Sequence, residues 1–317
     1  MFKILQDKLA NLSKYSMSER IRWRKWRYKA RITGSATTEI QDGVKMRLYY
    51  DDWLSEMLYF YGFEENEKSF VNCFLKSGDV FVDVGANIGL FTVIGASLVG
   101  NGGKVIAFEP SAKNYGRLVN NVKLNHYSNV TCNKVALSDL SGKAKMTVCT
   151  DKYGAWNSLA KPSVGTSFET ETVETVCWDE YSEENGLTGS IALMKIDVEG
   201  WEYNVLQGAR KALSRNDAPV LLVEFTDTNA RNAGHTCQEI YTALTEFGYE
   251  ICEYSAETRK LVEAPLRDSY PYMNLVATKI KETVEARLAH EVVSDYAGSR
   301  SQNHLANFEQ GEAVSKC

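Results

Sequence analysis

The chain has 317 residues, 44% of them hydrophobic, which is enough to bury one large core and by length allows one or two domains. A net charge of −5 and a pI near 5.6 exclude the overall basic surface that marks most nucleic-acid-binding domains, so no nucleic-acid partner is expected. Seven dispersed cysteines, odd in number and without a C-x-x-C pair, exclude a disulfide framework and fit a reducing, cytoplasmic compartment.

Residues 1–42 read as a leader. Its opening, MFKILQDKLANLSK, has charges interrupting the apolar residues and lacks a signal-peptide core; no later stretch approaches a membrane span. Within the leader, Arg20–Arg31 (RIRWRKWRYKAR) carries seven basic and three aromatic residues in twelve. Two readings stand. The tryptophans can pack a solvated helix onto the domain, or the segment can touch an anionic membrane, on its inner face, or an anionic carrier, since interfacial helices combine Lys/Arg with Trp. Trp23, Trp26, Ile21 and Tyr28 do not fall on one narrow helical stripe, so a clean amphipathic face is not assured.

Residues 43–280 carry the pattern of an α/β domain. Gly43–Tyr50 reads as a strand, Asp51–Gly62 as an aromatic-rich helix or loop, and Glu67–Leu75 as part of a helix. Strand and helix then alternate: Phe81–Val84, Leu90–Leu98, Lys104–Phe108, Ala112–Leu124 and Val130–Ala136. Such alternation predicts parallel strands joined by right-handed crossovers. Lys145–Cys149 and Thr172–Val176 are further short strands around Lys152–Phe168, a Gly/Ser/Thr-rich stretch that can cover a substrate. Ile191–Ile196, Glu202–Leu213, Val220–Phe225 and Thr236–Phe247 continue the alternation. Glu250–Tyr254 and Leu275–Thr278 finish the sheet, where a strand following a strand permits an antiparallel edge pairing. Residues 281–317 form a polar tail, expected to be partly helical and then disordered.

The most informative segments are Val80–Phe91 (VFVDVGANIGLF) and Val105–Pro110 (VIAFEP). The first is an apolar strand ending in Asp83, a turn with Gly85 and Gly89, and a helix start that offers unpaired N–H groups to a ligand. The second ends in Glu109, roughly 20 residues on, where an acidic side chain can accept two ribose hydroxyls. Gly85-Ala-Asn-Ile-Gly89 lacks the G-x-G-x-x-G spacing that seats a pyrophosphate, which disfavours NAD and an oxidoreductase. A carboxylate at the strand end suits a cofactor with a cationic amino-acid end, as in S-adenosylmethionine.

Together DVGANIGLF, IAFEP, VNNVKLN (Val119–Asn125), VALSD (Val135–Asp139) and MKIDVEGWEYNVLQGA (Met194–Ala209) resemble the FkbM-type methyltransferases over roughly residues 43–280. The resemblance implies a Rossmann-like class I methyltransferase fold, a mostly parallel doubly wound sheet with an antiparallel edge strand. It implies S-adenosylmethionine-dependent O-methylation of a sugar, glycan, glycoconjugate or polyketide-like molecule. By the same resemblance Gly85, Ala86, Asn87 and Gly89 wrap the methionine end of the cofactor, Glu109 holds its ribose, and Ala136 to Asp139 edges the adenine, while Asp83 orients the ammonium. It also makes the fourth and fifth strands neighbours beside the first, which brings Asp197 close to Glu224.

Methyl transfer to a neutral hydroxyl needs alignment and help in losing a proton. Asp197, Glu199 and Glu224, at or just beyond strand ends, are the catalytic candidates. They can accept the proton directly, or Asp197 and Glu224 can hold a hard cation such as Mg²⁺ through oxygen ligands. Trp201 and Trp156 are the best-placed faces for a sugar ring, with Trp53, Tyr59 and Tyr61 more ordinary core residues. Lys195 reads as a buried partner of Asp197 or Glu199, Glu202 equally as a helix N-terminal charge, and His126 and His235 as surface histidines. A non-catalytic cofactor-binding or scaffold protein that docks through its leader is the alternative from another class.

Overall fold

The computed structural model describes residues 17–150, 157–160, 167–187 and 191–289. At its centre lies an eight-stranded sheet. Four of its strands are β3 (Val80–Val84), β4 (Lys104–Phe108), β9 (Leu193–Ile196) and β10 (Val220–Phe225), whose apolar side chains are buried on both faces. Near-continuous apolar runs of this kind suit parallel strands covered by helices on either side. With β5 (Val130–Asn133), β11 (Glu250–Ser255), β12 (Lys260–Glu263) and β13 (Met273–Thr278), the order is β12-β11-β13-β10-β9-β3-β4-β5. Strands β5, β4, β3, β9 and β10 run parallel. Antiparallel β13 is inserted between β10 and β11, and antiparallel β12 forms the edge.

Alternation along each strand divides the core in two. Phe81, Val105, Ala107, Leu193 and Leu222 face one layer, which holds α3 (Glu65–Phe74), α4 (Leu90–Val99) and α11 (Lys281–Ala289). Val82, Val84, Ile106, Phe108, Leu221 and Val223 face the other, with α6 (Trp178–Glu184), α7 (Glu202–Gly208), α8 (Arg210–Leu213) and α10 (Cys237–Glu246). The expected α5 (Ala112–Leu124) lies beside β2 (Val44–Tyr49), where Asn121 Oδ1 and Asn125 Oδ1 accept the N–H groups of Arg47 and Lys45.

Two expectations are corrected. The strand expected over Val130–Ala136 ends at Asn133, and β6 (Ala136–Leu137) leaves to join β7 (Gly142–Cys149) and β8 (Phe168–Val176) in a separate three-stranded sheet. The helix expected over Glu202–Leu213 is divided at Ala209, whose φ of −109° and ψ of 11° lie outside the helical region. In the leader, α1 (Met17–Thr33) runs into β1 (Ser35–Gln41), which pairs with β2 across residues 42–43, and the reading in which its tryptophans pack a helix onto the domain holds. Trp26 is buried, Trp23 stacks on Phe60 at 4.8 Å, and Tyr59 lies 4.5 Å from Trp26, so both tryptophans dock α1 onto α2 (Trp53–Phe60). None of the six described cysteines is disulfide-bonded, and among the described residues no helix is long and apolar enough to cross a membrane.

Candidate active site

The turn after β3 is strapped to the end of β4: the N–H groups of Gly85 and Ala86 both donate to the Phe108 carbonyl, at 3.0 and 2.9 Å. Asn87 takes a left-handed φ of 52° and donates its N–H to Glu109 Oε2 at 2.9 Å, while Ser111 N–H donates to Oε1 at 2.9 Å. Glu109 therefore ties the glycine turn to the start of α5, and its oxygens keep lone pairs for ribose hydroxyls. Burial pushes its pKa up to about 7, against the pull of the two N–H donors. Asn87 Oδ1 is buried with no partner among the described residues, an acceptor that a ligand donor would satisfy. Gly89 opens α4 with a φ of 96°, its N–H on the Ala86 carbonyl.

Glu109→Ala is expected to weaken S-adenosylmethionine binding by at least about tenfold, the loss of one to two hydrogen bonds to a charged group. It also frees two backbone donors, so a lower melting temperature accompanies the loss. Calorimetric affinity equal to the parent's would remove Glu109 from the ribose.

The second half of the site follows from register. Asp83 lies opposite Lys195 across β3 and β9, and Lys195 opposite Leu222 across β9 and β10. Asp83, Lys195, Asp197 and Glu224 consequently share one face at the carboxyl ends of adjacent strands. Lys195 Nζ bonds Asp197 Oδ2 at 2.5 Å and sits 4.6 Å over the Phe91 ring. Burial alone would depress the ammonium, but Asp197, Glu64 and Asp83 hold its pKa above the ordinary lysine value. Asp83 is buried and accepts from Thr92 Oγ1 at 2.5 Å; burial raises its pKa while Lys195 opposes the rise. Its carboxylate is thus committed on one side to α4, beneath the turn.

Asp197, Glu199 and Glu224 come together, with one carboxylate oxygen from each lying within 4.8 Å of the other two. Glu199 has a left-handed φ of 55°, and its Oε2 accepts from Asn229 Nδ2 at 2.7 Å. Gly200 makes that loop possible: at φ 103°, an added Cβ would lie 2.3 Å from the Asn229 carbonyl oxygen of α9 (Asp227–Asn232). Glu224 Oε1 accepts from Thr226 Oγ1 at 2.8 Å, whereas Oε2 is buried with no partner among the described residues. Burial first, then repulsion from neighbouring carboxylates (Asp197 foremost for Glu199, Glu199 foremost for Glu224), lifts the pKa of both well above the ordinary value. Glu202 instead folds the loop, accepting the N–H groups of Val198 and Gly200 at 2.9 and 3.1 Å.

The remaining expected residues divide. Trp201 precedes α7, and its Nε1 donates to Ser138 Oγ at 3.0 Å, tying the loop after β9 to the segment from Ala136. Ala136 is buried in β6, and Asp139 Oδ1 accepts from Ser138 Oγ and Asn204 Nδ2 at 2.9 and 3.3 Å. Those bonds hold Asp139 to α7, and no described hydrogen bond joins it to the glycine turn. Trp156 lies outside the described residues. Trp53 packs edge-on to Phe63 at 5.8 Å, and His235 lies against Tyr203 at 4.4 Å.

Sequence reasoning missed Glu64, Glu67, Tyr272 and Asn274. Glu64 takes a left-handed φ of 48° at the start of α3 and accepts from the Tyr272 hydroxyl at 3.2 Å; its Oε2 is buried with no partner among the described residues. Burial pushes its pKa up to about 8, Lys195 opposing and Asp197 and Glu67 reinforcing. Asn274, opposite Glu224 across β10 and β13, donates to Glu67 Oε1 at 3.1 Å. The glutamates of Gly62–Glu67 (GFEENE) were the only sequence signal, with no spacing that links them to Lys195.

These elevated carboxyl groups set a pH dependence. Glu109 and Glu202 at about 7 and Glu64 at about 8 keep protons in the folded state that the unfolded chain releases near 4.5. The folded state then binds more protons across that window, so its stability falls as pH rises from about 4.5 to about 8. The melting temperature of the ligand-free protein is expected to drop across this range, with a shallower slope above about pH 7 in Glu64→Gln. An unchanged slope in the variant would place Glu64's titration elsewhere.

A turn strapped beside an acidic ribose-type acceptor, on this sheet order, defines a Rossmann-like S-adenosylmethionine-dependent methyltransferase. The profile of the methyltransferase FkbM domain matches residues 83–251, more than half of the chain, and the chain belongs to that family. No curated protein matches it. Among solved structures it is similar to the FkbM methyltransferase of Methylobacillus flagellatus KT, with 18% identity over 72% of this chain and 55% of that one, at a TM-score of 0.42. The S-adenosylmethionine-dependent O-methyltransferase of Thermotoga maritima gives 17% identity over 68% and 65%, at 0.35. Aeropyrum pernix fibrillarin, solved with bound S-adenosyl-L-methionine, gives 13% over 67% and 73%, at 0.38. Family membership sets aside the hydride-transfer and scaffold readings.

Proposed function

We propose that this methyltransferase acts on a hydroxyl of a neutral sugar, glycan or glycoconjugate, or of a polyketide-like molecule, on the cytoplasmic side. The observation that carries the reading is the convergence of Asp197, Glu199 and Glu224 beside the cofactor turn, with Glu224 Oε2 buried and unpartnered among the described residues. With Glu64 and Glu67 close by, carboxyl groups cluster around Lys195. Carboxyl groups that burial pushes toward their neutral form offer hydrogen bonds more than charge, which suits an uncharged polyhydroxy acceptor. Trp201, anchored to Ser138 through its indole N–H, offers a half-buried ring for packing against a sugar beside the loop after β9.

Among the described residues the donor set fits a hard divalent cation, with oxygen ligands only and one acceptor lacking a partner. Asp197, Glu199 and Glu224 would hold it. When bound, the cation supplies positive charge that eases loss of the acceptor hydroxyl's proton. The chain's own part is to fix that charge: Lys195 holds Asp197, Asn229 holds Glu199, and Thr226 holds Glu224. Because burial and neighbouring carboxylates favour the protonated forms of Glu199 and Glu224, cation binding is expected to displace protons. Titration with Mg²⁺ or Mn²⁺ is expected to release protons, measured as calorimetric heats that change with buffer ionisation enthalpy, and to raise the melting temperature. Neither effect appearing would leave the carboxylates as direct proton acceptors.

Incubation with methyl-labelled S-adenosylmethionine and matched neutral and acidic saccharides tests the acceptor class. Methyl ethers on the neutral members are expected; label found only on amines, carbon or carboxylates would overturn the O-methylation reading.

A further inference from the structure

We infer that α1 is a docking surface for an anionic lipid bilayer, through the face opposite its tryptophans. Trp23 and Trp26 turn inward onto Tyr59 and Phe60, so they are not the interfacial residues that the composition of Arg20–Arg31 suggested. A different set points outward. Met17, Ile21, Tyr28 and Ile32 are 72, 47, 70 and 66% exposed. Their spacings of four, seven and four residues place them within about 60° of arc on the helix.

Basic side chains border this stripe on both sides. Arg24 and Arg31 flank one edge, Lys25 and Lys29 the other; all four are exposed, and none is paired with a carboxylate among the described residues. An apolar strip between two basic rims is the arrangement by which a helix lies in a headgroup layer, its apolar side chains in the acyl boundary and its cations at the lipid phosphates. The rest of the chain is net negative, which confines the attraction to this face. A second copy fits less well, because apposing two such stripes brings basic rims against each other.

The full chain should sediment with mixed phosphatidylglycerol–phosphatidylcholine vesicles and not with phosphatidylcholine alone. About 0.5 M salt should release it, since that screens charges beyond a few ångström. Lys25→Glu/Lys29→Glu should lower partitioning at least about tenfold, in line with the attraction of single basic residues to an anionic leaflet. Ile21→Ser/Ile32→Ser should lower it comparably while S-adenosylmethionine affinity stays at the parent value, which keeps folding and docking separate. Equal sedimentation with both vesicle types, or full binding by the isoleucine variant, would overturn the inference. So would a parent dimer in sedimentation velocity that the isoleucine variant dissociates, which would make the stripe an interface between copies.

Discussion

Glu224→Gln is expected to slow methyl transfer by on the order of a thousandfold, the middle of the range for removing a group that manages a proton in the transition state. The substitution isolates charge from shape. Gln keeps an oxygen for the Thr226 hydroxyl and fills the same volume, but it can neither ionise nor serve well as an anionic ligand. It also removes one of the buried, mutually repelling carboxyl groups at the ends of β9 and β10, so the melting temperature should hold or rise. Cofactor affinity should stay within about twofold, because the turn and Glu109 are untouched. Loss of turnover with retained stability and binding is the signature of a group acting at the reacting atoms. Turnover near the parent value in single-turnover assays would remove Glu224 from the chemistry and leave Asp197 and Glu199 to be tested alone.

Gly85→Ala should be the most damaging single methyl that can be added to this site. A Cβ there would lie 1.8 Å from the Asp197 carbonyl oxygen, 2.8 Å from its carbon and 3.2 Å from Val198 Cγ1. The two nearest of these atoms are backbone, fixed by the pairing of β3 with β9 and by the Asp197 N–H on the Val84 carbonyl. They cannot swing aside as a flexible side chain would. A loss above about 4 kcal/mol is expected in chemical denaturation, the range reserved for strain and overpacking in a core. Gly43→Ala is the control, since Gly43 has a φ of 74° but nothing within 4 Å. It should cost only the left-handed penalty of about 1–2 kcal/mol. Equal losses in the two variants would show that conformation, not the close approach of the two loops, requires Gly85.

Much of the sheet was legible because its strands are apolar runs bounded by turns. Lys104–Phe108, Ala112–Leu124 and Val220–Phe225 fall where the sequence predicts them. Short polar elements were not: β1 (SATTEIQ) has no apolar alternation, and α9 (DTNARN) has a single apolar residue, Ala230, facing the core. The departure of β6 into another sheet could not be read either, since only two residues separate Asn133 from Ala136 and nothing local marks the change. In the site, Asp197, Glu199 and Glu224 were legible from strand ends, and register explains why they meet. Glu64 and Tyr272 were not, because their nearness to Lys195 is created by packing of α3 and β13 across long stretches of chain. The tryptophans of α1 show the same limit: periodicity cannot tell which face of a helix meets a neighbour until Tyr59 and Phe60 are in place.

The insertion of β13 between β10 and β11 has a consequence for how the chain is made. Residues 273–278 are among the last of the described chain to be synthesised, yet they fill a gap between strands that leave the ribosome earlier. Until then β10 and β11 each present an unpaired edge, the form of β structure most open to pairing with another molecule. Asn274 and Tyr272, which buttress Glu67 and Glu64, arrive with that same segment. A nascent chain can therefore build the cofactor turn well before it can build the pocket opposite, and translation that stalls short of β13 would leave an aggregation-prone half-sheet instead of a slow enzyme.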